Sequence, residues 1–202
     1  SVYMMRGWPR RALQRQQMAH ALDPRDIEPR LGMEEAYVAL QRDDLARPLH
    51  DDLVARYPTQ PAVERMDQAW RAHRGWQLKA WTDIGRSSGG GGTSPLGDND
   101  RHYGVDVETP VLDDRWRLFA LADRRVTDFQ DQRIDPLWLG AGVRYRFGQL
   151  DAEAAVLRAN DHIGDTGLRV GVGWQFNDSW HAGVVVARND PEASRQARAA
   201  GI

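Results

Sequence analysis

The 202-residue sequence has no cysteine, no marked excess of charge of one sign and no long apolar run. Without cysteine there is no disulfide framework, no thiolate metal site and no cysteine nucleophile. A formal charge of −2 and a pI near 6.3 lack the basic bias of a nucleic-acid binder, so no nucleic-acid partner is expected. The mean hydropathy is −0.64, and no stretch approaches the roughly 18 apolar residues of a transmembrane helix. No charged segment leads into an apolar one at the start, as a signal peptide would. Both ends read as cut, and the sequence is expected to be an internal piece of a longer protein. By composition alone it is an ordinary soluble globule.

Chemistry-bearing motifs are also scarce. The six histidines (20, 50, 73, 102, 162 and 181) lack the HxxxH spacing that seats zinc. The glycine run 89–92 has no following Lys-Ser/Thr, so it is a loop tip and not a phosphate cradle. Asp98-Asn99-Asp100 resembles part of a calcium loop but lacks its twelfth-position Glu. No Ser or Thr stands in a nucleophile elbow. Asp51/Asp52 and Asp113/Asp114 read as a solvated helix face and a turn. Neither an enzyme nor a cofactor is expected.

What the sequence does contain is two kinds of periodicity. Residues 1–74 are rich in Ala, Leu, Arg, Gln, Glu and Met, with prolines between apolar-periodic runs. Helices are predicted at about 8–21, 31–43, 45–56 and 61–73, with Pro9 and Pro61 at helix starts and Pro48 in the first turn of the third. Tyr3/Tyr37, Ala12/Ala46, Ala21/Ala55 and Pro24/Pro58 recur at a shift of about 34 residues, the tetratricopeptide period. His50 replaces the expected aromatic and Glu34 the expected glycine. Repeats of this kind commonly present a groove to a protein partner.

From Gly75 the period becomes two. Leu137, Leu139, Ala141, Val143, Tyr145 and Phe147 alternate with Trp138, Gly140, Gly142, Arg144, Arg146 and Gly148, and similar runs follow. Seven strands are predicted, at about 76–85, 102–110, 115–124, 136–147, 150–159, 167–177 and 180–188. Long connections at 86–101 and 125–135 and a medium one at 160–166 alternate with short turns at 111–114, 148–149 and 178–179. That asymmetry is characteristic of membrane barrels. Trp76, Trp116, Phe147, Phe176 and Trp180 gather at the short-turn edge, and Tyr103 and Trp138 near the other, as at membrane–water boundaries. Charge on the apolar faces appears only near long-loop ends, at Arg158 and Arg188. Strand 115–124 fits least well, because Phe119 and Leu121 share a face with Arg117 and Asp123; a bulge would resolve it.

The expected architecture is α + β: tetratricopeptide repeats over 1–74, then the N-terminal part of an antiparallel transmembrane barrel over 75–202. A soluble repeat scaffold carrying a β-sandwich, acting by protein binding, is the alternative. The segments Arg6-Gly7-Trp8-Pro9-Arg10-Arg11-Ala12, Asp52-Leu53-Val54-Ala55-Arg56-Tyr57-Pro58, Trp76-Gln77-Leu78, Trp116-Arg117-Leu118-Phe119 and Ala141-Gly142-Val143-Arg144-Tyr145 resemble the poly-β-1,6-N-acetyl-D-glucosamine export porin family. The resemblance implies a bacterial outer-membrane barrel of about sixteen strands. It also implies periplasmic repeats that dock a polysaccharide deacetylase, and export of partially deacetylated polymer for biofilm matrix. A cellulose-type exporter shares the architecture. Candidate lumen residues for the cationic polymer are Asp83, Asp106, Glu108, Asp123, Asp151, Glu153 and Trp81, with Trp138 a second possible stacking residue. Arg117, Arg144, Arg146 and Arg169 on the same faces oppose a strongly negative pore.

Overall fold

The computed structural model describes residues 2–86, 99–129, 132–160 and 166–189. Five helices come first: α1 (Val2–Met5), α2 (Pro9–Leu22), α3 (Glu28–Ala39), α4 (Asp43–Arg56) and α5 (Pro61–Arg74). Helices α2 and α4 are both 14 residues long and their bounds differ by 34 positions, matching the expected period. Ala12, Ala36 and Ala46 expose no surface, because only a methyl group fits where these helices cross. Leu53, Val63 and Met66 form the core, with Leu31, Leu49, Val54 and Tyr57 around them. Each fully buried aliphatic side chain there contributes about 1.5–3 kcal/mol. His50 does supply a ring, stacking on Trp70 with centroids 5.1 Å apart.

Helix α3 runs Glu28–Ala39 where 31–43 is expected, and three further helical details differ from expectation. Ala21 and Ala55 share the period yet are exposed, since they lie at helix ends beyond the crossing. Helix α4 starts two residues early, with Asp43 and Asp44 in its first turn, so Pro48 sits inside the helix. Glu34 is buried at 4% exposure, and close approach is provided instead by Gly32, where a Cβ would strike Gln16. Burial, with Glu35 and Asp43 nearby, pushes the Glu34 carboxyl up to about 7.

The strands are β1 (Gln77–Arg86), β2 (Asn99–Glu108), β3 (Trp116–Phe129), β4 (Gln132–Ile134), β5 (Leu137–Phe147), β6 (Leu150–Ala159), β7 (Thr166–Gln175) and β8 (His181–Arg188). They form one antiparallel sheet in the order β1-β2-β3-β5-β6-β7-β8, with β4 paired only to the end of β3. This is a half-barrel, and a second sheet such as a β-sandwich requires is not found among the described residues. The loop expected at 125–135 is largely a hairpin: β3 continues to Phe129 and the chain turns back through β4. The long loop expected at 86–101 is shortened by β2, which begins at Asn99. Residues 87–98 and 161–165 of the expected loops, and the tail after Asn189, lie outside the described residues.

No bulge interrupts the described pairing of β3. It pairs one-to-one with β2 and with β5, and Phe119 and Leu121 point to the same side as Arg117 and Asp123. Room comes from β5, where Gly142 faces Phe119 across the ladder; a Cβ on Gly142 would stand 2.8 Å from the Phe119 ring.

The helical layer lies against the short-turn rim, held at three turns. In the β7–β8 turn, Asp178 accepts hydrogen bonds from the backbone N–H groups of Arg10 and Arg11 (3.1 and 3.2 Å). It thereby caps α2, whose own N-cap residue Trp8 makes no side-chain cap. In the β2–β3 turn, Asp114 pairs with Arg47 and Arg74. Burial raises the Asp114 pKa, but these two guanidiniums hold it below the usual carboxylate range. In the β5–β6 turn, Gly148 donates its N–H to Gln41 O (3.1 Å). Arg117 of β3 donates to the carbonyls of His73 and Gly75 (2.9 Å for Gly75), so the barrel wall also satisfies the C-terminus of α5.

Candidate functional site

The two faces of the sheet differ in kind. Leu78, Ile84, Leu118, Leu139, Val156, Leu168, Val170, Val172, Val184 and Val186 all point outward and are at least half exposed. That contiguous apolar area exceeds what a water-soluble surface tolerates. Ten-residue strands rising about 3.3 Å per residue and tilted by about 40° span roughly 25 Å, the height of a barrel's apolar band. Trp76, Trp116, Trp174, Phe176 and Trp180 are exposed along the helix-side rim of this band, as a membrane–water boundary favours. Outward charges, at Arg101, Arg124, Arg158 and Arg188, lie toward the opposite rim.

The inner face carries all seven residues predicted as lumen candidates: Trp81, Asp83, Asp106, Glu108, Asp123, Asp151 and Glu153. They fall into three groups. Arg144 organises the largest. Its guanidinium donates to Asp106 (2.7 and 3.0 Å), Glu108 (2.6 Å) and Glu153 (2.7 Å), and its Cζ lies 3.8 Å above the Phe119 ring centroid. Glu108, 1% exposed, also faces Arg146 (3.4 Å), Lys79 (3.6 Å) and Arg117 (3.5 Å). The carboxylates are therefore matched by cations, as a desolvated wall requires.

The second group surrounds His102, which is not among those candidates. His102 Nε2 is 2.5 Å from Asp123 Oδ2, and Nδ1 is 3.6 Å from Asp83. Trp81 Nε1 also lies 3.3 Å from Nε2. Both indole and imidazole cannot donate through that one contact, so the shorter distance assigns an Nε2 proton facing Asp123. Arg125 holds the other oxygen of Asp123 at 3.2 Å. The Trp81 ring lies flat against the sheet over Gly104, where any Cβ would collide with it. The third group is Asp151 with His181 at 3.2 Å, both about half exposed. The alternation that placed Gly104, Asp106 and Glu108 on one face also places His102 there, and that was its available signal.

Trp138 departs from expectation. It is neither a rim aromatic nor a free stacking surface: it is 1% exposed on the inner face, packed with Phe119, Leu157, Ala155 and Ala159. Tyr103 points outward but stands mid-strand, because β2 starts earlier than expected. The inner wall thus has an apolar patch beside its charged one. Leu121 completes that patch.

Comparisons place this geometry. The family model described as "PgaA membrane beta barrel domain" matches residues 72–202. The Poly-beta-1,6-N-acetyl-D-glucosamine export proteins of Escherichia coli strain K12 and of Escherichia coli O157:H7 are each 33% identical over 198 residues. The match covers 93% of this chain, which spans about a quarter (23%) of the length of those relatives. No solved structure matches significantly. With the strand order, the outward apolar band and the matched segment in agreement, the chain belongs to the PgaA membrane β-barrel family.

Proposed function

We propose that this chain is part of an outer-membrane pore exporting partially deacetylated poly-β-1,6-N-acetyl-D-glucosamine for biofilm matrix. Residues 1–74 are tetratricopeptide-type repeats on the periplasmic side that dock the polymer's deacetylase, and residues 75–202 are the N-terminal part of the barrel. The observation that carries this reading is the match to relatives named for export of that polymer, on a half-barrel whose inner wall is polar and whose outer wall is apolar.

The lumen carboxylates divide by role. Asp106, Glu108, Asp123 and Glu153 are held by Arg144, Arg125 and His102, and they brace the wall. Asp83 and Asp151 keep most or about half of their side chains exposed and meet ammonium groups on the passing polymer. Trp81 offers a ring face to a pyranose. Deleting the gene is expected to abolish surface poly-N-acetylglucosamine, and restoring it as Asp83→Asn/Asp151→Asn is expected to recover the pore but reduce export. Loss of cellulose alone would mark a cellulose exporter, and full export by the double variant would remove the carboxylates' role. Co-purification of the deacetylase with the full-length protein, lost when 1–74 is deleted, tests the docking.

A further inference from the structure

We propose that the outer face of the half-barrel holds one glycerophospholipid in a built site, its acyl chain in a groove along β6 and its phosphate on Arg115. The acyl groove lies on the outer wall, and Arg115 stands at the rim, where it lines both this groove and the inner cavity beside Arg117 and Arg146. Its leaflet is the one on the helix side, the periplasmic leaflet in the orientation proposed above.

The groove follows from side-chain size. Ladder pairing sets Ala152 and Ala154 of β6 between Tyr145 and Val143 of β5 and Val172 and Val170 of β7. Two methyl groups thus form a floor between taller walls, leaving an open groove of about 550 Å³. From Leu150 to Ala154 it runs about 13 Å along the strand. Strand tilt inclines it to the membrane normal, and the surrounding band already faces hydrocarbon.

The helix-side end of the groove is polar. Trp116 packs edge-on against Tyr145 with centroids 4.6 Å apart, and both rings stand at the level expected of the membrane–water boundary. Beside them is Arg115, which also lines the groove. Its guanidinium rests 4.4 Å from the centroid of Phe147 and has no carboxylate partner among the described residues. Arg42, over the other contact of the same ring at 4.9 Å, is by contrast satisfied by both oxygens of Asp44. An unpaired guanidinium at headgroup level, at the mouth of an acyl-sized groove, complements a phosphodiester carrying a hydrocarbon chain.

The test uses the full-length protein in a non-ionic detergent, titrated with palmitoyl-oleoyl phosphatidylglycerol or with the matching diacylglycerol and read by native mass spectrometry. The phospholipid is expected to be retained at one molecule per barrel, in preference to the diacylglycerol. Arg115→Gln is expected to weaken phospholipid retention about tenfold and to leave diacylglycerol unchanged, while Arg115→Lys restores much of it. Ala154→Phe fills the groove and is expected to lower both. Heat-dependent gel mobility verifies that each variant folds; Arg115 is an exposed turn residue, so its substitution is informative even if Ala154→Phe fails to assemble. Equal retention by wild type and Arg115→Gln would overturn the phosphate assignment. Unchanged retention by folded Ala154→Phe, or a protein dimer that Ala154→Phe abolishes, would overturn the groove's assignment to lipid.

Discussion

The helical layer and the sheet distribute the same residue types in opposite ways. In the helices Leu53, Val63 and Ala46 are hidden and most charges face outward. In the sheet Val170, Val172 and Leu168 face outward, while Arg117, Asp106, Glu108 and Asp123 are buried. Since the hydrophobic effect sorts residues by the solvent they meet, this reversal means that the outer face of the sheet meets hydrocarbon and the helices meet water. One chain thus folds against two solvents, and the turns at Asp114, Gly148 and Asp178 are where they adjoin.

The sharpest way to break the comparison is to unbalance the buried charges. Arg144→Met should destabilise the barrel by about 3–5 kcal/mol, because Asp106 and Glu108 would lose their main cation while still desolvated. Refolding into lipid vesicles measured against urea reads this directly. The next largest effect separates the two solvents. Val170→Arg puts a charge near the middle of the apolar band and should destabilise by about 2–4 kcal/mol in the same assay. Leu22→Arg, on a still more exposed apolar residue of α2, should change stability by less than about 0.5 kcal/mol.

Glu34 sharpens the helical side of the comparison, where a carboxyl is buried without a cation partner among the described residues. Its pKa rises from 4.5 to about 7 on folding, so the native state retains a proton that the unfolded chain releases. Stability from this group is fully present below about pH 4.5 and lost as pH rises through about 7. Glu34→Gln should therefore match wild type near pH 4 and be the more stable near pH 8, by up to about 3 kcal/mol, followed by helical circular dichroism. A smaller effect belongs to the junction. Asp178→Ala removes the cap that the barrel lends to α2 and should cost about 1 kcal/mol, seen as faster amide exchange at Arg10 and Arg11.

Strands and helices were legible because their periods are local. The alternation through Leu137–Phe147 marks β5 to within a residue, and the 34-residue shift marks α2 and α4. The same alternation put every lumen candidate on one face. What it could not show is which residues meet across strands. Arg144 stands 36 to 38 positions from Glu108 and Asp106, and Asp178 caps a helix more than 160 residues earlier. Apolar residues on the inner wall were unreadable for a related reason. Phe119 looks misplaced until Gly142 is seen beside it and Arg144 above it. Trp138 has the strand-end position of a rim aromatic, which is visible in the sequence, whereas the patch that buries it spans three strands.

The absence of cysteine makes one measurement especially direct. Single cysteines placed in turn at 168–173 of the full-length protein can each carry a nitroxide, with no background thiol in this segment of the protein. In lipid vesicles, labels at 168, 170 and 172 should collide with oxygen, and those at 169, 171 and 173 with a water-soluble relaxant, alternating residue by residue. Strong exposure of 168, 170 and 172 to the aqueous relaxant, or no alternation at all, would contradict a lipid-facing outer wall.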